Sequence, residues 1–203
     1  MKIAIAGASG RAGSRITAEL ARRGHAVTAI ARNPDKIAAL PNVTAKKGDV
    51  LDQAGLAALW AGHDAAISSV HFLASDPARL IGAAKDSGAG RYLVVGGAGS
   101  LEVAPGVRLV TTPNFPAQYK AEAEKGAAFL DLLRQEKDLN WTFLSPSALF
   151  VEGERTGKFR LGTDQLLTDP AGKSWISFED FAVALADEIE RPAHLGRRFT
   201  VGY

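Results

Sequence analysis

The chain has 203 residues, 46% hydrophobic and 23% charged, with a formal net charge of +2, which fits one soluble globular domain or one domain with a small lobe. So small a charge, spread over scattered pairs such as Arg22-Arg23, Lys46-Lys47 and Arg197-Arg198, gives no nucleic-acid surface, and with no cysteine and no metal-ligand spacing among His25, His63, His71 and His194, no disulfide, thiolate or metal site is expected. The apolar run Ile3–Ala6 is too short for a signal peptide, and no stretch nears the ~18 apolar residues of a membrane span, so a cytoplasmic protein without a membrane partner is expected.

Ile3–Ala6 is short, apolar and leads into glycine, as a buried parallel strand does. A helix over about Ser9–Arg23 follows, with Ala12, Ile16 and Leu20 on one face and Gly24 as its stop. Ala26–Ala31 reads as a second strand, and Asn33-Pro34 opens a short helix with Asn as cap and Pro at the first helical position. Val43–Ala45 is a third strand, and Asp52 caps a helix to about Trp60. A fourth strand covers Ala65–Val70, and Asp76-Pro77 opens a helix to about Ser87. Tyr92–Val95 is a fifth strand, Gly96–Pro116 a loop rich in glycine and proline, about Ala117–Lys137 a long helix, and Trp141–Ser145 a sixth strand.

This alternation predicts an α/β fold with a doubly wound parallel sheet of the Rossmann type. After Pro146 the pattern breaks into turns with strand-like pieces such as Lys158–Leu161, before Ser177 opens a helix to about Glu190 and Phe199–Val201 closes the chain's elements. The whole chain reads as a single dinucleotide-binding domain, with residues 147–176 as a small C-terminal lobe on the substrate side of the sheet edge where such folds bind ligands.

Gly7, Ala8, Ser9, Gly10, Arg11, Ala12 and Gly13 form a GxxGxxG run placed between a buried strand and a helix. Glycines there permit a tight turn and close approach of a pyrophosphate, and the helix start offers free N–H groups. The second strand ends beside Arg32 and Asn33, where an NAD-binding domain has an acid for the ribose 2′-hydroxyl; arginine suits a 2′-phosphate instead. Arg11 and, less directly, Lys36 are further candidates for that phosphate. The expected cofactor is therefore NADP(H). Asp49 and Val50 follow the third strand beside the adenine position, where Asp49 either accepts from the base or caps its turn. Ser68, Ser69, Val70, Gly96 and Gly97, at the ends of strands four and five, are expected along the cofactor trench.

These segments, with Ala29–Pro34, Gly48–Val50, Asp64–Val70, Leu93–Ser100, Trp141–Pro146 and Ile176–Asp180, resemble the atypical short-chain dehydrogenase/reductases, close to the NmrA-like proteins and biliverdin/flavin reductases. Glu152–Gly157 is similar to a bacterial subgroup named for epimerase or reductase activity. The resemblance implies catalysis by Ser, Tyr and Lys, with Tyr-x-x-x-Lys sharing one helical face so that the lysine lowers the tyrosine pKa. Ser100 and Tyr119 occupy the matching places. Ser100 is either catalytic or a turn former, and Tyr119 either a proton donor or the head of a packed stripe with Ala123, Ala127, Leu130 and Leu133.

The lysine is missing: four residues beyond Tyr119 stands Ala123, while Lys120 and Lys125 are turned roughly 100° and 240° away. The expected activity is thus NADPH-dependent hydride transfer to a small conjugated acceptor such as a flavin or quinone, which tolerates a weak acid better than a simple ketone does. Phe72, Phe115, Phe150 and Trp175 either cover that acceptor or pack in the core. A cofactor-sensing binding protein without turnover is the alternative, and a nucleotide-sugar epimerase or dehydratase a further one. Oligomeric state is not readable from the sequence.

Overall fold

A computed structural model describes residues 1–203. In chain order the elements are β1 (Lys2–Ala6), α1 (Arg11–Arg22), β2 (Ala26–Ala31), β3 (Val43–Lys47), α2 (Gln53–Trp60), β4 (Ala65–Ser68), α3 (Pro77–Ser87) and β5 (Tyr92–Val95). Then follow β6 (Glu102–Ala104), β7 (Val107–Arg108), α4 (Ala117–Leu133), β8 (Trp141–Pro146), β9 (Leu149–Val151), β10 (Arg160–Gly162), β11 (Trp175–Ser177), α5 (Phe178–Glu190) and β12 (Arg197–Gly202).

Eight strands form the main sheet in the order β10-β12-β8-β5-β4-β1-β2-β3. All neighbours run parallel except β10, which is antiparallel to β12. The order reverses between β1 and β4, which opens a crevice at the carboxyl ends of the strands.

The period-two alternation of β1 divides the core. Ile3 and Ile5 face α1 and α5, packing with Ile16, Leu20, Phe181 and Leu185. Ala4 and Ala6 face the other layer, where their small side chains leave room for Trp60, Leu80, Phe129 and Phe143. Local signals start the helices as the sequence predicts. The Asp52 carboxylate accepts from Gly55 N at 3.0 Å, that of Asp76 from Ala78 N at 2.9 Å, and the Ser177 hydroxyl from Asp180 N at 3.0 Å.

The structure departs from the sequence reading at several element ends, β4 stopping at Ser68 rather than Val70 among them, and more substantially in the following places. The predicted helix to Lys137 ends at Leu133, the last residue of its buried stripe; Gln135 and Glu136 then bond back three residues and tighten the turn. The third strand runs on through Lys46 and Lys47, which are exposed because β3 is a sheet edge. Within the Gly96–Pro116 loop, β6 and β7 pair as a hairpin around Gly106, whose φ is +73°. Within residues 147–176, β9 pairs with β11 apart from the main sheet, while β10 extends that sheet. No helix is long and apolar enough to cross a membrane.

Candidate functional site

The loop between β1 and α1 is shaped by glycine at two points. Gly7 has φ +83°, and a Cβ there would lie 2.0 Å from the Ser69 carbonyl oxygen. A Cβ on Gly13 would lie 2.1 Å from the Gly7 carbonyl oxygen. The first glycine therefore allows the turn to pass β4, and the last lets α1 seat against the loop. Gly10 differs: its nearest neighbour to a Cβ is 3.3 Å away, so it keeps the loop surface low and open toward the crevice. The N-terminus of α1 has no side-chain cap, and the amides of Arg11, Ala12 and Gly13 find no acceptor in the protein. Together with the helix dipole, those of Arg11 and Ala12, on the cavity side, form an anion cradle that a pyrophosphate fits.

That cradle opens into a cavity of about 420 Å³. Its first half is walled by Ile30, Ala31 and Arg32 at the end of β2 and by Gly48–Leu51 after β3. Its second half is walled by Ser69–Phe72 after β4, Val95 and Gly96 at the end of β5, Glu122 on α4, and Phe150 and Phe178. Ser9, Gly10, Arg11 and Ala12 lie between them.

Most of the expected cofactor residues meet here, and six do not. Ala8 and Gly13 are buried behind the loop rather than on its surface. Asn33 is spent on its own turn, accepting from Asp35 N at 3.1 Å, and Lys36 lies outside the cavity wall. Gly97 lies one residue beyond the wall at Gly96. Ser68 points into the opposite layer, where its hydroxyl meets that of Tyr92 at 2.8 Å. Burial pushes the Tyr92 phenol up, against the opposing effect of the Ser68 bond, so it stays protonated. Asp49 lines the cavity and also caps its turn, accepting from Leu51 N at 3.0 Å.

The two expected catalytic side chains are not gathered at the cavity. Ser100 is 4% exposed, and its hydroxyl accepts from Arg198 Nη1 at 3.3 Å. Arg198, on β12, also bonds Ser145, the Ser100 carbonyl and Asp164, so Ser100 acts as an anchor for the turn after β5. Tyr119 is 62% exposed and absent from the cavity wall. It heads no packed stripe either: the buried face of α4 begins at Gly126.

Of the four aromatic candidates, Phe72 and Phe150 line the cavity. Trp175 instead packs against Tyr203, with ring centroids 4.3 Å apart, and Phe115 is not on the wall. The sequence reading missed Glu122, His71, Leu51 and Phe178. Phe178 carries the Arg11 guanidinium over its ring at 5.7 Å and packs on Phe150 at 4.4 Å. Glu122 accepts from the amides of Phe72 at 2.7 Å and Leu73 at 2.9 Å, fastening α4 to the turn after β4. Only the tertiary fold reveals that contact, since 50 residues separate its partners.

Phe150 is held over the cavity by the segment that follows it. Glu152 pairs with Arg15, Gly153 N donates to Glu179 at 3.0 Å, and the Ser177 hydroxyl donates to the Glu154 carbonyl at 2.9 Å. Arg155 reaches Glu19 on α1 at 2.8 Å, where Arg22 and Arg23 also converge. Burial alone would raise the Glu19 carboxyl, but the hydrogen bonds from Arg155, Arg22 and Arg23 hold it well below the usual carboxylate range. Buried Asp180 accepts from Gly157 N at 2.7 Å and from the hydroxyls of Thr156 and Tyr203.

A glycine cradle at a helix start, set at the switch point of a parallel sheet, defines a dinucleotide-binding domain of the Rossmann type. The chain belongs to the NAD(P)H-binding family, whose model matches residues 7–192. It is 45% identical to a solved structure from Burkholderia pseudomallei described as a "Putative exported protein", covering 100% of both chains with a TM-score of 0.90. A "putative epimerase" from Bacteroides thetaiotaomicron is 39% identical, with 100% of this chain and 96% of that one covered and a TM-score of 0.95. A "putative NADH-flavin reductase" from Streptococcus pneumoniae is 38% identical over 100% and 99% of the two chains, with a TM-score of 0.81. The kinship with atypical short-chain dehydrogenase/reductases read from the motifs therefore stands.

Proposed function

We propose that this protein is an NADPH-dependent reductase of a conjugated acceptor such as a flavin or a quinone. The observation that carries the cofactor choice is Arg32, exposed on the cavity wall at the end of β2 and followed by Asn33 rather than an acid. In this reading the amides of Arg11 and Ala12 hold the pyrophosphate, Arg32 and Arg11 hold the 2′-phosphate, and the Asp49 turn borders the adenine. Ser69, Val70 and Gly96 border the nicotinamide half. When bound, the cofactor supplies a hydride.

The acceptor class follows from what the protein's own residues offer. Tyr119 has no lysine beneath it, and Ser100 is engaged with Arg198. Reduction of a simple ketone makes a basic alkoxide that needs a tuned acid; reduction of a conjugated ring makes a delocalised, weakly basic anion that does not. The apolar walls at Phe72, Phe150 and Phe178 suit a planar ring. The flavin, though not the choice of NADPH over NADH, is also what the description "putative NADH-flavin reductase" of a 38% identical structure names.

The test is cofactor binding followed by turnover. Arg32→Asp is expected to weaken NADPH roughly 30-fold or more, the loss of a charge-assisted contact worth about 2 kcal/mol, while NADH changes little. Equal loss of both cofactors overturns the NADPH assignment. NADPH oxidation is then followed against flavins, quinones and aldehydes. Tight binding with no oxidation on any of them overturns the reductase reading and leaves a cofactor-sensing binding protein.

A further inference from the structure

The second half of the cavity is lined by two titratable residues, His71 and Glu122, whose side chains meet. We infer that His71 is the proton donor to the reduced acceptor and that Glu122 is its positioning residue. The inference rests on the reductase reading above.

Three contacts converge on the Glu122 carboxylate. Phe72 N and Leu73 N donate to its two oxygens at 2.7 and 2.9 Å, and His71 Nδ1 lies 3.3 Å from Oε1. The backbone bonds fix where the carboxylate points, because they tie it to the turn that carries the imidazole. A carboxylate only accepts, so Nδ1 must be the protonated nitrogen of the pair. That leaves Nε2 free for a ligand. The His71 side chain is 84% exposed, so solvent replaces a proton once it is given up.

The arrangement supplies what the tyrosine position lacks. Tyr119 lies one helical turn before Glu122 on α4, outside the cavity wall, whereas Glu122 and His71 are both on it. Glu122 is the one charged group that the structure places against the imidazole. The other charged residues of the wall, Arg11, Arg32 and Asp49, lie with the pyrophosphate loop and the β2 and β3 ends.

The balance of the step is simple. The acceptor gains a hydride from the dihydronicotinamide and a proton from the doubly protonated His71. The Nε2–H bond breaks, and an O–H or N–H bond forms on the acceptor. The imidazole is left neutral with its proton on Nδ1, the tautomer that Glu122 stabilises, and solvent then reprotonates Nε2.

Two measurements decide the matter. The first needs no cofactor: 15N NMR of the His71 ring at a pH where the imidazole is neutral. The Nδ1–H tautomer is expected in the unsubstituted protein and the Nε2–H tautomer in Glu122→Ala. A neutral ring already in the Nε2–H form before substitution overturns the pair. The second is turnover with NADPH and a naphthoquinone. His71→Gln is expected to lose roughly tenfold or more, a smaller effect than the usual 10²–10⁴ of acid–base catalysis because the anion is delocalised. Added imidazole is expected to restore rate to His71→Ala, which loss of packing alone would not permit. Full rate in His71→Gln overturns this inference while leaving the reductase standing; no turnover by the unsubstituted protein on any acceptor overturns both.

Discussion

Along β1, β2 and β3 the cavity is bounded by the glycine loop turned at Gly7, by the unpaired first amides of α1, and by Arg11, Arg32 and the Gly48–Leu51 turn. Along β4, β5 and α4 it is bounded by side chains: His71, Phe72, Glu122, Phe150 and Phe178. In the proposed reading the first wall holds a pyrophosphate through backbone amides, with Arg11 and Arg32 adding charge, so much of its demand on the sequence is steric and falls on glycine. The second wall owes its chemistry to residues brought together from distant segments. Neighbouring structures of 38–45% identity share this fold, and a shared fold of this kind does not by itself fix the reaction.

The contrast is broken most sharply at Gly13. Gly13→Val puts side-chain atoms where the Gly7 carbonyl oxygen stands, so α1 must shift from the loop. We expect about 1–3 kcal/mol of destabilisation from overpacking and roughly a 100-fold or greater loss of NADPH affinity, read by denaturant unfolding and calorimetry. Retained affinity would show that the cradle is not the rigid backbone device described here.

Glu19 tests the seam between the halves, since it links α1 to the Arg155 segment that holds Phe150. Glu19→Gln is expected to cost roughly 2–3 kcal/mol, less than the 3–5 of a fully buried pair because Arg155 and Arg22 are partly exposed. Its folded pKa is depressed, so the carboxylate's contribution is complete above the unfolded value of about 4.3 and is lost as pH falls through the folded value. Urea midpoints of the two proteins should differ widely at pH 7 and converge in acid; a gap that stayed constant with pH would remove charge from the explanation.

Ser100→Ala should cost about 1 kcal/mol, one buried hydrogen bond to Arg198, with little change in turnover on a quinone. Tyr119→Phe should be the quietest change, under about 0.5 kcal/mol in stability and nearly silent in rate. A loss above about 100-fold in either variant would return that residue to the chemistry.

What was legible in the sequence was local. Asp52, Asp76 and Ser177 cap helices because a side-chain oxygen reaches amides two or three residues ahead, and that needs no knowledge of the fold. The glycine loop was legible for the same reason. Ser68 and Ser69 show where the legibility stops: Ser68 is buried against Tyr92 while its neighbour lines the cavity, and the sequence does not say which of the two meets the crevice. Glu122 was invisible because its role depends on α4 packing against a turn 50 residues earlier. Ser100 follows β5 in the chain, but its partner Arg198 arrives only with the final strand, which no local pattern announces.

The two margins of the main sheet bear on how the protein behaves when crowded. An open strand edge offers unpaired amides and carbonyls on which another chain can grow. Here one margin is β3, ending in the exposed charges of Lys46 and Lys47, and the other is β10, only three residues long and reversed in direction. Like-charged lysines repel a second copy of the same edge, and a short reversed strand gives it little to extend. The sheet is thereby guarded against edge-to-edge aggregation at both ends, and replacing Lys46 and Lys47 with valine is the change that would expose it.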